Sequence, residues 1–293
     1  MSLHEQLYQW TARQGLDASS ARRLRALSGL DDPPRDLWTP LRLGAGALAA
    51  GLIGFGLILW VAANWDDFGR AMRFGLLEAV TAVSLVAAAL LAAWRAPLAL
   101  VAFLTLGGLL AYFGQTYQTG ADTYQLFALW AVLGLPIAWA ARSDLVWTPW
   151  ALVVATGIGL WMETFGGHGW RFDGSTVPVH ALGFVAYGAL CAGLALRPSA
   201  ACQPWAWRLA ALASVVAGSA AARGGRFARD VAPQYFLGLG VMGIGLVLAW
   251  RRAEVYALSA LALAVDTLLV AGLTRLVYDA KGDLGGLFLI GLV

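Results

Sequence analysis

Charge is scarce in this sequence, and lysine is almost absent. Of the 293 residues only 13% are acidic or basic, whereas soluble domains carry about 25%. Lysine occurs once, as Lys281, so the net charge of +3 comes from arginine. So few charges exclude an ordinary soluble enzyme. Scattered arginines in an apolar chain also lack the dense basic patch that binds nucleic acid, and no nucleic-acid partner is expected.

Cysteine and histidine are also rare, which argues against metal chemistry. The two cysteines are Cys191 and Cys202, and the three histidines are His4, His168 and His180. Neither set has the spacing of zinc or haem ligands. The sequence also lacks a P-loop, a nucleophile elbow and an H-E-x-x-H motif. We therefore predict no metal, no cofactor and no catalytic residues, and nothing in these motifs favours an enzyme.

Long apolar runs, in contrast, dominate the chain. Hydrophobic residues make up 60% of it, and the mean hydropathy is +0.69. A helix needs roughly twenty apolar residues to cross a bilayer. The sequence thus predicts an all-α, polytopic transmembrane helix bundle of about nine or ten spans. Nine runs are long enough or nearly so: residues 43–63, 74–94, 97–114, 124–141, 145–162, 179–196, 206–222, 235–250 and 255–274.

The first segment, residues 1–40, is polar and predicts a small helical hairpin. Leu7 and Trp10 recur at helical spacing before Gly15, which favours the end of a first helix. Asp17 is a good N-cap for a second short helix. About thirty residues are too few to hold a core alone. We therefore expect the hairpin to dock on the membrane, on a protein partner or on other loops of the chain.

The remaining residues, 41–293, are predicted to form the transmembrane domain. The last apolar run, 285–293, is too short to cross a bilayer. We expect either a span that is incomplete at Val293 or a natural chain that continues beyond it. Six arginines lie in residues 1–42, and cytoplasmic flanks carry an excess of basic residues. The N-terminus is therefore predicted to be cytoplasmic, although the arginines of the later loops show no such bias.

One acidic residue, Asp266, falls near the middle of the predicted span 255–274. An aspartate at that depth costs roughly 2.5–3.5 kcal/mol on insertion scales. We therefore expect it to face the bundle interior or a wet cavity, where it would be a proton or cation site. The alternative is a neutral aspartate that hydrogen-bonds to a neighbouring helix and only holds the helices together.

A second group of polar residues lies on the predicted outer face, at the ends of the first four spans. Asp66 could bind a cation, but it is also a natural N-cap for a short interfacial helix. Glu78 is better explained as an interfacial acid that pairs with Arg70 or Arg73. The glutamine and tyrosine side chains could line the mouth of a solute site or simply solvate an interface. The predicted outer-face polar site comprises Asp66, Asp67, Glu78, Gln115, Tyr117, Gln118 and Asp122.

Three stretches of the N-terminal half resemble a known family. Residues 54–67 read GFGLILWVAANWDD, residues 114–118 read GQTYQ and residues 126–130 read LFALW. Together they resemble the bacterial family called domain of unknown function 2157, and the N-terminal hairpin is similar to the leader of that family. The resemblance covers roughly residues 1–142. It implies a multi-pass protein of the bacterial inner membrane, with no catalytic residues to carry over.

Three functional hypotheses follow. The first is a secondary transporter or a lipid or solute carrier, with Asp266 as the coupling site, although no internal repeat is visible. The second is a non-enzymatic membrane scaffold or sensor whose hairpin binds a protein partner. The third is a membrane-embedded transferase that acts on a lipid-linked substrate near Asp66 and Asp67. Membrane lipids are expected partners in all three.

Overall fold

The computed structural model describes residues 3–28, 38–64, 68–118, 120–166, 174–196, 205–226, 233–251 and 254–281. Over these ranges the chain is helical and contains no strand. The helices of the first half are α1 (Leu3–Arg13), α2 (Ala18–Leu27), α3 (Trp38–Ala63), α4 (Arg70–Leu90), α5 (Arg95–Tyr117) and α6 (Thr123–Ala141). Those of the second half are α7 (Asp144–Gly166), α8 (Val177–Ala195), α9 (Trp205–Arg226), α10 (Pro233–Arg251) and α11 (Val255–Lys281). The predicted all-α polytopic bundle is confirmed.

Each of the nine predicted spans coincides with one of the helices from α3 to α11. Within the described ranges, seven helices are long and apolar enough to cross a membrane, namely α3 to α8 and α11. The apolar part of α10, Tyr235–Arg251, is shorter than these. The predicted short run 285–293 lies outside the described residues.

The chain divides into two compact units, Met1–Ala45 and Gly46–Val293. In the first unit α1 and α2 contact each other. Gly15 has a φ of +57° just after α1, a conformation that glycine adopts readily and that ends the helix. The Asp17 carboxylate accepts a hydrogen bond from the Ser20 backbone amide at 3.2 Å, as an N-cap does. The domain boundary at residue 40 stays a prediction.

The Asp17 cap makes the first turn of α2 sensitive to acid. The Ser19 hydroxyl and the amide and hydroxyl of Ser20 donate to this carboxylate and lower its pKa from 3.8 to about 2. Because the folded pKa is the lower one, the cap is fully present above pH 3.8 and is lost as the pH falls through about 2. We expect D17A to raise the amide exchange rate of Ser20 at neutral pH. Exchange that is unchanged by the substitution would contradict the cap.

In the second unit the helices alternate in direction because short connections join them. We call the end at which α5, α7, α9 and α11 begin the proximal end, and the opposite end the distal end. Helix α5 packs on α4, α6 and α7, and α9 packs on α7, α8, α10 and α11. Among the spans, α5 is the most buried, with 56% of its apolar window inside the protein. Its central side chains Phe103 and Thr105 are fully buried.

Neighbouring helices are joined by aromatic side chains that donate hydrogen bonds to backbone carbonyls. Such bonds satisfy indole and phenol groups where water is absent. They connect α6 to α5, α7 to α6, α8 to α7 and α10 to α11. The donors and acceptors are Trp130 Nε1 to the Phe103 carbonyl (3.0 Å), Trp150 Nε1 to that of Ala131 (2.8 Å), Tyr187 Oη to that of Ala155 (2.8 Å) and Tyr235 Oη to that of Leu268 (2.8 Å).

In three of these four contacts a glycine lies four residues after the accepting carbonyl. These glycines are Gly107, Gly159 and Gly272, and each lies against the side chain that donates the bond. A helical Cα–Cβ bond is tilted towards the N-terminus, so the side chain at i+4 lies over the carbonyl of residue i. Glycine at that position leaves the carbonyl open to a second donor from the next helix.

A buried pair of threonines joins α4 to α5. The Thr81 and Thr105 hydroxyl oxygens lie 2.9 Å apart, and Thr105 Oγ1 is also 2.9 Å from the carbonyl of Val101. Thr81 can therefore donate to Thr105 while Thr105 donates to its own helix. Both hydroxyl groups are satisfied inside the bundle.

Candidate ligand-binding site

A cavity of about 470 Å³ lies between α8, α9, α10 and α11. Its walls are mostly aliphatic and aromatic. Phe184 and Met242 line it near mid-depth, and Trp207 and Glu254 line it at the proximal end. The cavity is therefore an apolar space that reaches the proximal boundary of the spans at one end.

Small residues on four helices create this space. Gly188 and Ala192 face it from α8, Ala211 from α9, Gly245 from α10 and Ala257 from α11. None of these side chains extends far enough to fill the gap between helices. The wall is therefore built from backbone and methyl groups, which suits an apolar ligand.

Large side chains close the cavity towards the distal end. A Cβ placed on Gly218 of α9 would overlap the methyl group of Met242 and would meet the ring of Phe184. Both side chains therefore pack directly on the backbone of α9 at this depth. They form the floor of the cavity.

The few polar side chains in the wall are satisfied locally. Ser214 donates to the carbonyl of Ala210 at 2.6 Å, and Cys191 Sγ lies 3.5 Å from the Ser214 hydroxyl. Among the described lining residues the one charged side chain is that of Glu254, at the proximal end, and none lies deeper. The cavity interior is thus suited to hydrocarbon and not to an ion.

Charged side chains lie at the proximal mouth, where Glu254 lines the cavity and Arg208, which does not line it, lies beside Glu254. Arg208 Nη2 lies 3.8 Å from Glu254 Oε2, with the two side chains 28% and 33% exposed. The Arg208 guanidinium carbon also lies 5.4 Å from the centroid of the Trp205 ring and 5.8 Å from that of the Tyr256 ring. A separation of 3.8 Å is too long for a hydrogen bond, so the pair is held by charge alone.

The same arginine has hydrogen-bonding capacity to spare. Arg208 Nε is buried, and it has no hydrogen-bond partner among the described residues. A guanidinium group offers five N–H donors in a planar arrangement that matches phosphate and carboxylate oxygens. The mouth of the cavity can therefore bind an anionic group while the cavity holds an apolar chain.

An aspartate fixes the start of α9 beside this mouth. The backbone amide of Trp205 donates to Asp144 Oδ2 at 2.9 Å, which links the beginning of α7 to the beginning of α9. A carboxylate at a helix N-terminus is favourable because it satisfies a free amide and complements the helix dipole. This contact positions Trp205 and, one turn later, Arg208.

Asp266 does not face this cavity, nor the bundle interior as the sequence analysis expected. Its side chain is exposed on α11. It lies about two and a half helical turns after the lining residue Ala257, which places the two side chains on opposite faces of the helix. The position of Asp266 along the apolar run predicts its depth in the membrane, but the direction of its side chain depends on which face of α11 packs on other helices. The buried face of α11 carries Ala264 and Leu268. Its role as a proton or cation site stays a prediction.

The predicted outer-face residues lie at the distal end and are exposed where they are described. Gln118, with a φ of +42°, ends α5, and Asp122 occupies the N-cap position of α6 without a side-chain cap bond. Tyr117 packs with its ring centroid 6.0 Å from that of Phe74 on α4. Gln115 is likewise exposed, and Asp66 and Asp67 lie outside the described residues. The cavity between α8 and α11 lies elsewhere, so a solute site here stays a prediction.

Glu78 lies on α4, one turn after Phe74, and its side chain is exposed. The sequence analysis favoured an ion pair with Arg70 or Arg73. Within the described ranges Glu78 makes no ion pair with either. The favoured explanation is therefore not supported.

Sequence analysis missed Arg208 and Glu254 because nothing in the sequence pairs them. Arg208 is one of the loop arginines that the sequence analysis considers only for membrane orientation. The usable signal was its location one turn inside an apolar run, flanked by Trp205 and Trp207. Its partner is 46 residues away, immediately before α11, and only folding brings the two together.

A second cavity of about 370 Å³ lies between α6, α7 and α8. Its lining includes Phe127, Ile158 and Trp161 and is almost wholly apolar. None of the described residues that line it is charged. A groove of this kind accommodates hydrocarbon but has no group that would select a headgroup, so the cavity beside Arg208 is the better candidate.

The fold defines this chain as a multi-pass α-helical membrane protein whose apolar helix faces contact lipid. Within that class, residues 8–147 match the model of the family described as predicted membrane protein (DUF2157), which confirms the resemblance found in the sequence. The match ends inside α7, so the cavity between α8 and α11 lies beyond it. Comparison with curated proteins found no match, and comparison with solved structures found none either.

Proposed function

We propose that this membrane protein is a carrier for an anionic, lipid-like solute that binds between α8 and α11. The apolar part of the solute occupies the cavity, and its anionic end lies at Arg208. The observation that carries the proposal is the combination of an apolar cavity with an incompletely bonded guanidinium group that lies beside Glu254, a residue of the cavity mouth.

Size and chemistry both support this assignment. A volume of about 470 Å³ falls within the roughly 300–1,000 Å³ that ligand sites occupy. Arginine binds phosphate and carboxylate groups through paired hydrogen bonds, and Trp205 and Tyr256 hold its guanidinium at the membrane boundary. Glu254 would repel an anion. However, its 3.8 Å separation from Arg208 is too long for a hydrogen bond, so an anionic group can compete with Glu254 for the guanidinium.

In this proposal the protein lies in the bacterial inner membrane with its N-terminus in the cytoplasm. The arginines of residues 1–42 support that orientation. Because the spans alternate, the proximal end and the mouth of the cavity then face the cytoplasmic leaflet. The solute would enter from that leaflet, where anionic lipids are abundant.

Transbilayer exchange of a fluorescent short-chain phosphatidylglycerol in proteoliposomes tests the carrier function. Dithionite quenching gives the fraction of probe that has crossed. We expect the wild-type chain to accelerate exchange and A211F to reduce the acceleration at least tenfold, because a phenyl ring at Ala211 fills the cavity. A189F is the matched control, since Ala189 is exposed on α8 and does not line the cavity.

Two results would contradict the carrier. Wild-type protein that exchanges the probe no faster than protein-free liposomes would remove the function. Equal exchange by the wild type and by A211F, with both proteins folded, would remove the cavity as the route. If A189F loses exchange as fully as A211F, the loss comes from a disturbed fold and not from a filled cavity.

The second candidate is a scaffold or sensor that binds a partner through the hairpin of α1 and α2. The observation in its favour is that Tyr8 and Trp10 are 76% and 61% exposed on a short helix. Large aromatic side chains are enriched at protein interfaces. Failure of the exchange experiment would leave this hypothesis as the stronger one. The transferase hypothesis depends on Asp66 and Asp67, and it stays a prediction.

A further inference from the structure

An acidic side chain faces outward from the middle of a membrane span. Asp266 lies about 16 Å along α11 from Val255, at 1.5 Å per residue, within the apolar stretch Val255–Arg275. Its side chain is exposed. In a single copy of the chain this carboxyl group would therefore meet lipid tails, which is costly.

The other polar side chains described on α11 do not share this problem. Ser259, Thr267 and Thr274 each donate to the carbonyl four residues earlier, at 2.6–2.8 Å. Asp266 has no hydrogen bond or ion pair with any described residue. A partner at the same depth is needed to satisfy it.

The residues around Asp266 form a continuous exposed seam. Spacings of three and four residues alternate along it, which is the heptad pattern that keeps one helix face against a neighbouring helix. Small residues at the proximal end of the seam would allow close approach of two helices, and leucines follow at the distal end. The seam consists of Ser259, Ala262, Asp266, Leu269 and Leu273, all exposed.

We propose that two copies of this chain associate through the α11 seam, with the two Asp266 carboxyl groups in contact at the centre of the interface. The two copies share one orientation in the membrane, so a two-fold axis along the membrane normal makes the α11 helices parallel. Each Asp266 then meets its counterpart at the same depth. The inference goes beyond the carrier function and does not depend on it.

A second copy fits this seam because a carboxyl group is its own hydrogen-bonding complement. When one of two carboxyl groups is protonated, its O–H donates a hydrogen bond to an oxygen of the other. Contact between the two groups therefore removes both from the lipid. A polar residue at one seam position also fixes the register of the two helices. A lipid molecule supplies no hydrogen-bonding group at this depth.

Disulfide cross-linking of the full chain in membranes tests the seam. Cysteine is introduced singly at Ala262, Leu269 or Leu273 in a background that carries C191A and C202A. We expect each variant to form a covalent dimer on mild oxidation. V185C is the matched control, because Val185 is 66% exposed on α8 and lies outside the seam. Dimers that form equally at all four positions, or at none, would overturn the proposal.

Substitution of Asp266 tests the carboxyl contact itself. Dimer dissociation is measured by single-molecule photobleaching at increasing lipid dilution. We expect D266L to raise the dissociation constant about tenfold, as for loss of an interhelical polar contact. D266N keeps a donor and an acceptor and should remain within about threefold of the wild type. D266L that dimerises as strongly as the wild type, or a wild-type chain that stays monomeric, would refute the proposal.

Discussion

G107L is expected to prevent the first part of the bundle from packing. Any Cβ at Gly107 would overlap the indole ring of Trp130, which packs directly on the α5 backbone. The leucine would also displace Trp130 Nε1 from the Phe103 carbonyl. Overpacking costs about 1–3 kcal/mol, and loss of a buried hydrogen bond adds about 1 kcal/mol. We expect a large fall in the thermal midpoint of the purified protein, measured by loss of the monodisperse peak on gel filtration.

The control is G114L, on the same helix. A Cβ at Gly114 would meet nothing within 4 Å, so the substitution changes helix composition and hydrophobicity by the same amount without the clash. Its thermal midpoint should stay close to that of the wild type. Equal midpoints for G107L and G114L would show that the contact between Trp130 and α5 does not hold the helices together.

R208Q is expected to weaken retention of anionic lipid by the purified protein at least tenfold. Hydrogen bonds to charged groups contribute about 1.5–3 kcal/mol, so losing the guanidinium should weaken binding roughly tenfold or more. Glutamine keeps a polar side chain, although a shorter one, and loses the charge. Native mass spectrometry of protein released from detergent counts the bound phosphatidylglycerol molecules directly.

Two further variants decide what the R208Q result means. R208K keeps the charge and should keep part of the binding, because lysine lacks the planar paired donors of arginine. R251Q removes an exposed arginine from the proximal end of α10 and should leave lipid retention unchanged. If R251Q loses as much lipid as R208Q, the effect comes from net charge and not from the cavity mouth.

The course of the chain through the membrane could be predicted from the sequence because each span requires a long apolar run. The prediction placed a span at residues 124–141, and α6 occupies Thr123–Ala141. The N-cap role of Asp17 could likewise be predicted from its position directly before a short helix. Both depend on local sequence alone, since helices satisfy their own backbone groups in lipid.

The orientation of each helix about its axis could not be predicted in this way. In a soluble helix polar residues mark the exposed face, but in lipid the exposed face is apolar as well. On α11 the exposed Leu263 and the buried Leu268 are chemically identical. Asp266 was therefore assigned to the interior on energetic grounds, although it lies on the outward face.

The cavity was unpredictable for a related reason. Its walls are small residues from four helices that are far apart in sequence, and small residues also mark ordinary helix contacts. Gly188 borders open space, whereas at Gly183, five residues earlier, the side chain of Met162 of α7 occupies the space. Only the assembled bundle distinguishes the two cases.

The most direct test of the carrier proposal is a density map of the full chain in nanodiscs that contain phosphatidylglycerol. We predict elongated density between α8 and α10 that ends in a compact feature within hydrogen-bonding distance of the Arg208 guanidinium. Helices that close on each other and leave no cavity would contradict the account. So would an ordered lipid in the groove whose headgroup lies away from Arg208.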